Sequence, residues 1–151
     1  MGKYDLDLHA WAAEQADALK RRSAHELDWD NLAEEIDALG KSTAWELYSR
    51  YVVLLTHLLE WEYQPNRRSR SWSLTIAVQR REIAKHIRRN PSLKSVEQDE
   101  FDEAYGTARM QASAETHLDL RVFPEQARLT PDQAKSDDWW PGTDGDPGSL
   151  P

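Results

Sequence analysis

Apolar residues recur along this chain at helical rather than strand spacing. Leu8, Trp11, Gln15 and Leu19 share one face, alanines fill the gaps, and Lys20, Arg21 and Arg22 suit the negative end of a helix dipole. That spacing predicts a first helix from about Asp5 to Arg22. A connector over 23–27 leads to Asp28, a residue type that caps helix N-termini. Beyond it, Trp29, Leu32, Ile36, Leu39, Thr43, Leu47, Leu54, Leu58 and Trp61 fall within about 60° of one direction at about 100° per residue. The phase survives Gly40. A break would reset it, and one glycine costs a helix interior only about 1 kcal/mol. One helix is therefore expected from about Trp29 to Tyr63, ended by Pro65.

The second half of that helix carries another stripe, Trp45, Tyr48, Val52, Leu55 and Leu59, on its opposite side. A helix apolar nearly all round is buried on both sides, so this half is either the central rod of a bundle or the surface of an oligomer. A third helix is expected from Ser71, its N-cap, to Arg89, with Trp72, Ile76, Ile83 and Ile87 inward. Asn90-Pro91 is a stop-and-start signal, with Asn90 capping a fourth helix that runs to about Thr116. Phe101, Ala104, Tyr105, Ala108 and Ala112 line its inner face, and its small residues allow close approach to a neighbour. Short turns follow, then Trp139-Trp140, which either folds back onto the bundle or serves as a docking segment. No strand-period segment or internal repeat appears. The expected fold is all-α: an antiparallel helix bundle of about four main helices, with one long central helix and a short C-terminal extension. Residues 1–140 are expected to form a single domain, and the Gly, Asp, Pro, Ser and Thr composition of 141–151 reads as a disordered tail.

Charge sharpens this picture. The chain of 151 residues has a net charge of −8, which argues against bulk nucleic-acid affinity. Yet Arg67, Arg68, Arg70, Arg80, Arg81, Lys85, Arg88 and Arg89 face only Glu82 within 67–89. That local balance of +7 leaves −15 for the remainder. Cysteine is absent, which excludes disulfides, thiolate chemistry and cysteine-built metal sites. No apolar run has signal-peptide or membrane-span length, and a cytoplasmic location is expected.

Three strings have a family look: Leu27-Asp28-Trp29-Asp30-Asn31-Leu32-Ala33-Glu34-Glu35-Ile36, then His57-Leu58-Leu59-Glu60-Trp61-Glu62-Tyr63-Gln64-Pro65, and then Arg70-Ser71-Trp72 with Gln79-Arg80-Arg81-Glu82-Ile83. In this order, over roughly Tyr4 to Trp140, the chain resembles an uncharacterised bacterial family, domain of unknown function twenty-nine. The resemblance implies a helical fold in a bacterial cytoplasm. It implies no activity and supplies no catalytic residues. Glu60, Glu62 and Trp45 depart from what the family often has, which weakens the idea of an anion site at the end of the central helix.

Three surfaces carry candidate chemistry. His57 and Arg50 lie toward one edge of the apolar face, with Glu46 one turn before Arg50 and Glu35 flanking the buried edge within reach of Arg80. These residues are expected to be buried and hydrogen-bonded, either as a network that specifies helix pairing or as an acid–base pocket around His57. No histidine stands four residues from His57, and no metal site or cofactor is expected. On the third helix Arg81, Lys85, Arg88 and Arg89 form a basic ridge that would pack against the acidic fourth helix or contact phosphates. Trp45, Tyr48, Val52, Leu55 and Leu59 form a candidate interaction surface. The favoured reading is a helical module that binds a protein partner or a second copy of itself, with no membrane contact. The alternatives are a binder of nucleic acid or other polyanion through the ridge, and an enzyme with a pocket around His57.

Overall fold

The computed structural model describes residues 1–142, so nearly all of the segment expected as a tail lies outside the described residues. Asp7 decides how the chain begins. Its non-helical backbone ends a short helix α1 (Lys3–Leu6), and its side chain accepts the Ala10 N–H to open α2 (Leu8–Lys20). The single first helix expected from the spacing is therefore two, because an Asx cap outcompetes helix continuation at that residue. α2 stops where Arg22 takes a positive φ of 57°. The central helix α3 then runs unbroken through Gly40, from Trp29 to Tyr63.

Pro65 follows, and α4 (Arg70–Arg89) opens at Ser69, whose hydroxyl accepts the Trp72 N–H; Ser71 is not the cap. At its far end Asn90 does not cap a fourth long helix. Its amide turns back to donate to the His86 carbonyl at 3.0 Å, and Pro91–Ser95 forms a tight 3-10 segment before α5 (Glu97–Thr116). A short α6 (Pro131–Lys135) opens on a capping box between Thr130 and Gln133. These six α-helices, with no strand among the described residues, make an all-helical bundle around a long central helix.

The chain forms two compact units, Met1–Ser42 and the part from Thr43 onward. In the first, α2 buries only Trp11, Gln15 and Ala18, while Leu8 and Leu19 are exposed. Polar groups hold its seam. The Trp11 indole donates to Asp28 at 3.0 Å, the Asp28 N–H donates to Gln15 at 2.7 Å, and the Tyr4 hydroxyl donates to Glu35 at 2.7 Å. The edge of the Tyr4 ring meets Trp11 with centroids 4.8 Å apart.

The second unit packs three long segments. Paired contacts of α3 with α4 run in opposite directions, Thr43 with His86 and Arg50 with Gln79. Those of α3 with α5 climb together, Tyr48 with Thr107 and Thr56 with Gln111. The result is an up-down-up arrangement. Leu47, Leu54, Leu58 and Trp61 of α3 meet Ile76, Ile83 and Ile87 of α4 and the small face Ala104, Ala108 and Ala112 of α5. Phe101 stands edge-on to Tyr51, and Phe123 to Tyr63. The C-terminal segment folds back rather than projecting: Trp140 stacks at 4.5 Å on Trp61. Among the described residues, no helix is long and apolar enough to cross a membrane.

Candidate functional site

Within the Met1–Ser42 unit, the first three turns of α3 place Trp29, Leu32, Ile36 and Leu39 at helical spacing. Trp29 is 64 %, Ile36 67 % and Leu39 64 % exposed. Trp29, Leu32 and Ile36, together with Leu19 at the end of α2 and Leu27 in the connector, border an open apolar groove of about 530 Å³ that also takes in Ala33 and Asp37; Leu39 follows on α3 outside that lining. Scattered exposed leucines are ordinary; a contiguous set that includes tryptophan is not. Five basic against ten acidic side chains over residues 1–42 give the unit a negative field. Contacts inside the unit keep the groove open: the narrow buried face of α2 is used up on Asp28, Glu26 and Tyr4, which leaves nothing of that helix to cover Ile36.

The polar residues read from the sequence divide between the units. Glu46 and Arg50 come together, with the Arg50 Nε and Nη2 both 3.2 Å from Glu46 Oε1. Their further partners come from α4. Gln79 accepts from Arg50 at 3.4 Å, Glu82 lies 3.9 Å away, and His86 sets Nδ1 3.3 Å from Glu46 and Nε2 2.8 Å from the Thr43 carbonyl. The histidine of this cluster is thus His86. His57 instead sits half-buried, with Nδ1 2.8 Å from the Val53 carbonyl one turn back. Glu35 belongs to the other unit, where it accepts from Tyr4. Every member of the Glu46–Arg50–His86 cluster is spoken for by a neighbour, as in a network that fixes how α3 and α4 pair. Among the described residues, no three His, Asp or Glu side chains converge as a metal site would need.

The second stripe also divides. Val52, Leu55 and Leu59 are core residues, and Tyr48 is half-buried with its hydroxyl 2.8 Å from Thr107. Trp45 alone stands out, 66 % exposed. Of the ridge, Arg81, Arg88 and Arg89 are exposed and Lys85 is half-buried. Arg80, one residue away, is 2 % exposed. Its Nε donates to the Ala134 carbonyl at 2.9 Å and its Nη2 to the Trp139 carbonyl at 2.5 Å, and its guanidinium lies 5.0 Å from the Trp140 ring centroid. Burial lowers its pKa to about 10.

One acidic residue was noted only as a family departure. Glu60, 4 % exposed in the α3 core, has its Oε1 without a hydrogen-bond partner and shares its other contact with Glu115 of α5. Burial first, then the hydrogen bond and charge of Glu115, push the Glu60 carboxyl up to about 8. Burial and the neighbouring carboxyl thus favour the protonated form of Glu60. A signal for it existed: in a helix apolar on both sides, the glutamate between Leu59 and Trp61 has nowhere to go but inward.

The model of one family, Domain of unknown function DUF29, matches residues 3–140. No curated protein and no solved structure matches the chain.

Proposed function

The chain belongs to the family described as domain of unknown function DUF29, and from that premise we propose a helical protein-interaction module. Its binding face is the groove of the Met1–Ser42 unit, and its occupant is a basic amphipathic helix of a partner protein. The observation that carries this reading is the exposure of Trp29, Ile36 and Leu39 in one helical register. Each gains on the order of 1–2 kcal/mol when covered, at about 25 cal/mol per Å². A helix laid into a groove through residues at such spacing is a recurrent recognition mode.

Charge selects the occupant. A second copy would bring one unit of net charge −5 against another, whereas a basic helix answers both the apolar floor and the negative field of the unit. The reading includes a bacterial cytoplasmic setting, in keeping with the family resemblance and the cysteine-free sequence.

Two synthetic helical peptides test it, with identical leucine faces and either lysine-rich or glutamate-rich polar faces. Titration followed by calorimetry should show the lysine peptide binding, more weakly as salt rises, and the glutamate peptide not binding. Ile36→Glu should abolish the lysine-peptide signal without loss of helicity. Equal affinity for both peptides would remove the charge argument. A dimer in sedimentation that Ile36→Glu dissociates would make a second copy the occupant instead.

A further inference from the structure

The basic residues of α4 do more than form a ridge. Arg80, Arg81 and Arg88 line a cavity of about 520 Å³, walled on its other side by Lys135, Asp137 and Trp140. We propose that this cavity is a binding site for a small ligand carrying a chain of two or three phosphates.

Charge is the first support. Arg80 is nearly fully buried, yet the contacts that hold it are two carbonyls and an aromatic ring rather than a carboxylate at salt-bridge distance. The side chains of Arg81 and Arg88 make no ion pair or hydrogen bond with the described residues. Lys135 is different: Glu97 holds its ammonium at 2.9 and 3.0 Å, so its charge is already answered. Three guanidinium groups thus face Asp137 in the lining, with Asp138 also close enough to act on Arg80, so positive charge still exceeds negative in a partly enclosed space. Low-dielectric walls concentrate such a field.

Spacing is the second. Arg81 and Arg88 are seven residues apart, about 10 Å along the helix axis. One phosphate draws both side chains out of their extended positions to share a single anion, whereas each guanidinium fork is best met by a phosphate of its own. A chain of two or three phosphates provides that. Ala77 and Ala84, on the same side of α4, keep the floor low enough to admit it. The Trp140 ring is engaged by Arg80 and by Trp61, so recognition here runs through charge rather than base stacking.

The probes are inorganic tripolyphosphate, pyrophosphate and orthophosphate, titrated calorimetrically into the full chain at constant ionic strength. Affinity should fall in that order. Arg81→Glu with Arg88→Glu should weaken tripolyphosphate more than tenfold, while Arg89→Glu, outside the cavity lining, should change it less than threefold. These exposed positions leave the core intact, which circular dichroism checks, so buried Arg80 need not be touched. No binding at millimolar tripolyphosphate, or an equal loss with Arg89→Glu, would overturn the site. A single-stranded oligonucleotide that bound more tightly than tripolyphosphate, and was lost with the same pair of substitutions, would overturn the small-ligand assignment in favour of a nucleic-acid backbone.

Discussion

Along α3, Trp29, Ile36 and Leu39 are each about two-thirds exposed, whereas Leu47, Leu54, Leu58 and Trp61, further along the same stripe, are at most 2 % exposed. The two stretches share residue types and phase. What differs is the supply of partners. From Thr43 onward, α4, α5 and the returning C-terminal segment all offer apolar side chains to α3. Within Met1–Ser42, α2 offers Trp11, Gln15 and Ala18 and secures them largely by hydrogen bonds. An amphipathic stripe therefore marks a surface that seeks cover and leaves open where the cover comes from. In one unit the chain provides it; in the other we propose that a partner does.

The contrast is broken most severely in the core. Leu54→Ala should cost about 2–5 kcal/mol, because the fully buried site cannot collapse around the lost atoms. Urea unfolding measures it, and a loss under 1 kcal/mol would mean the second unit is packed no better than the first.

Next comes Glu60. Its folded pKa lies above the ordinary carboxyl value near 4.3. The stability it contributes is complete below that ordinary value and is lost as pH rises through about 8, since the unfolded carboxyl ionises first. Between pH 5 and 8 the protein should lose about 1–3 kcal/mol that the Glu60→Gln variant keeps. Parallel pH profiles for the two proteins would show that Glu60 ionises freely in the fold.

Gly40→Ala should raise stability by about 0.5–1 kcal/mol, because the glycine is helical and an added Cβ meets nothing within 4 Å. A destabilised variant would mean that something packs against that face of the helix. The smallest effect belongs to Ile36→Ala, which should change the stability of the chain alone by less than about 0.5 kcal/mol. A loss as large as that of Leu54→Ala would show the groove to be covered already, and would sharpen the question of by what.

The sequence by itself determined the local structure. Apolar phase carried through Gly40 set the length of α3, Pro65 ended it, and the helical period of every long segment decided the all-α class. These are short-range effects of spacing and backbone chemistry, and one chain contains them. It also determined that Glu46 and Arg50 pair, because one helical turn separates them. Only the tertiary structure decided that His86 rather than His57 joins them, that Glu60 meets Glu115, and that Arg80 is buried beneath Trp140. Each of those contacts joins different helices, or a helix and the returning segment, at separations of 40 to 60 residues. Periodicity says which way a side chain points from its own helix axis; which neighbour arrives there depends on how the helices pack.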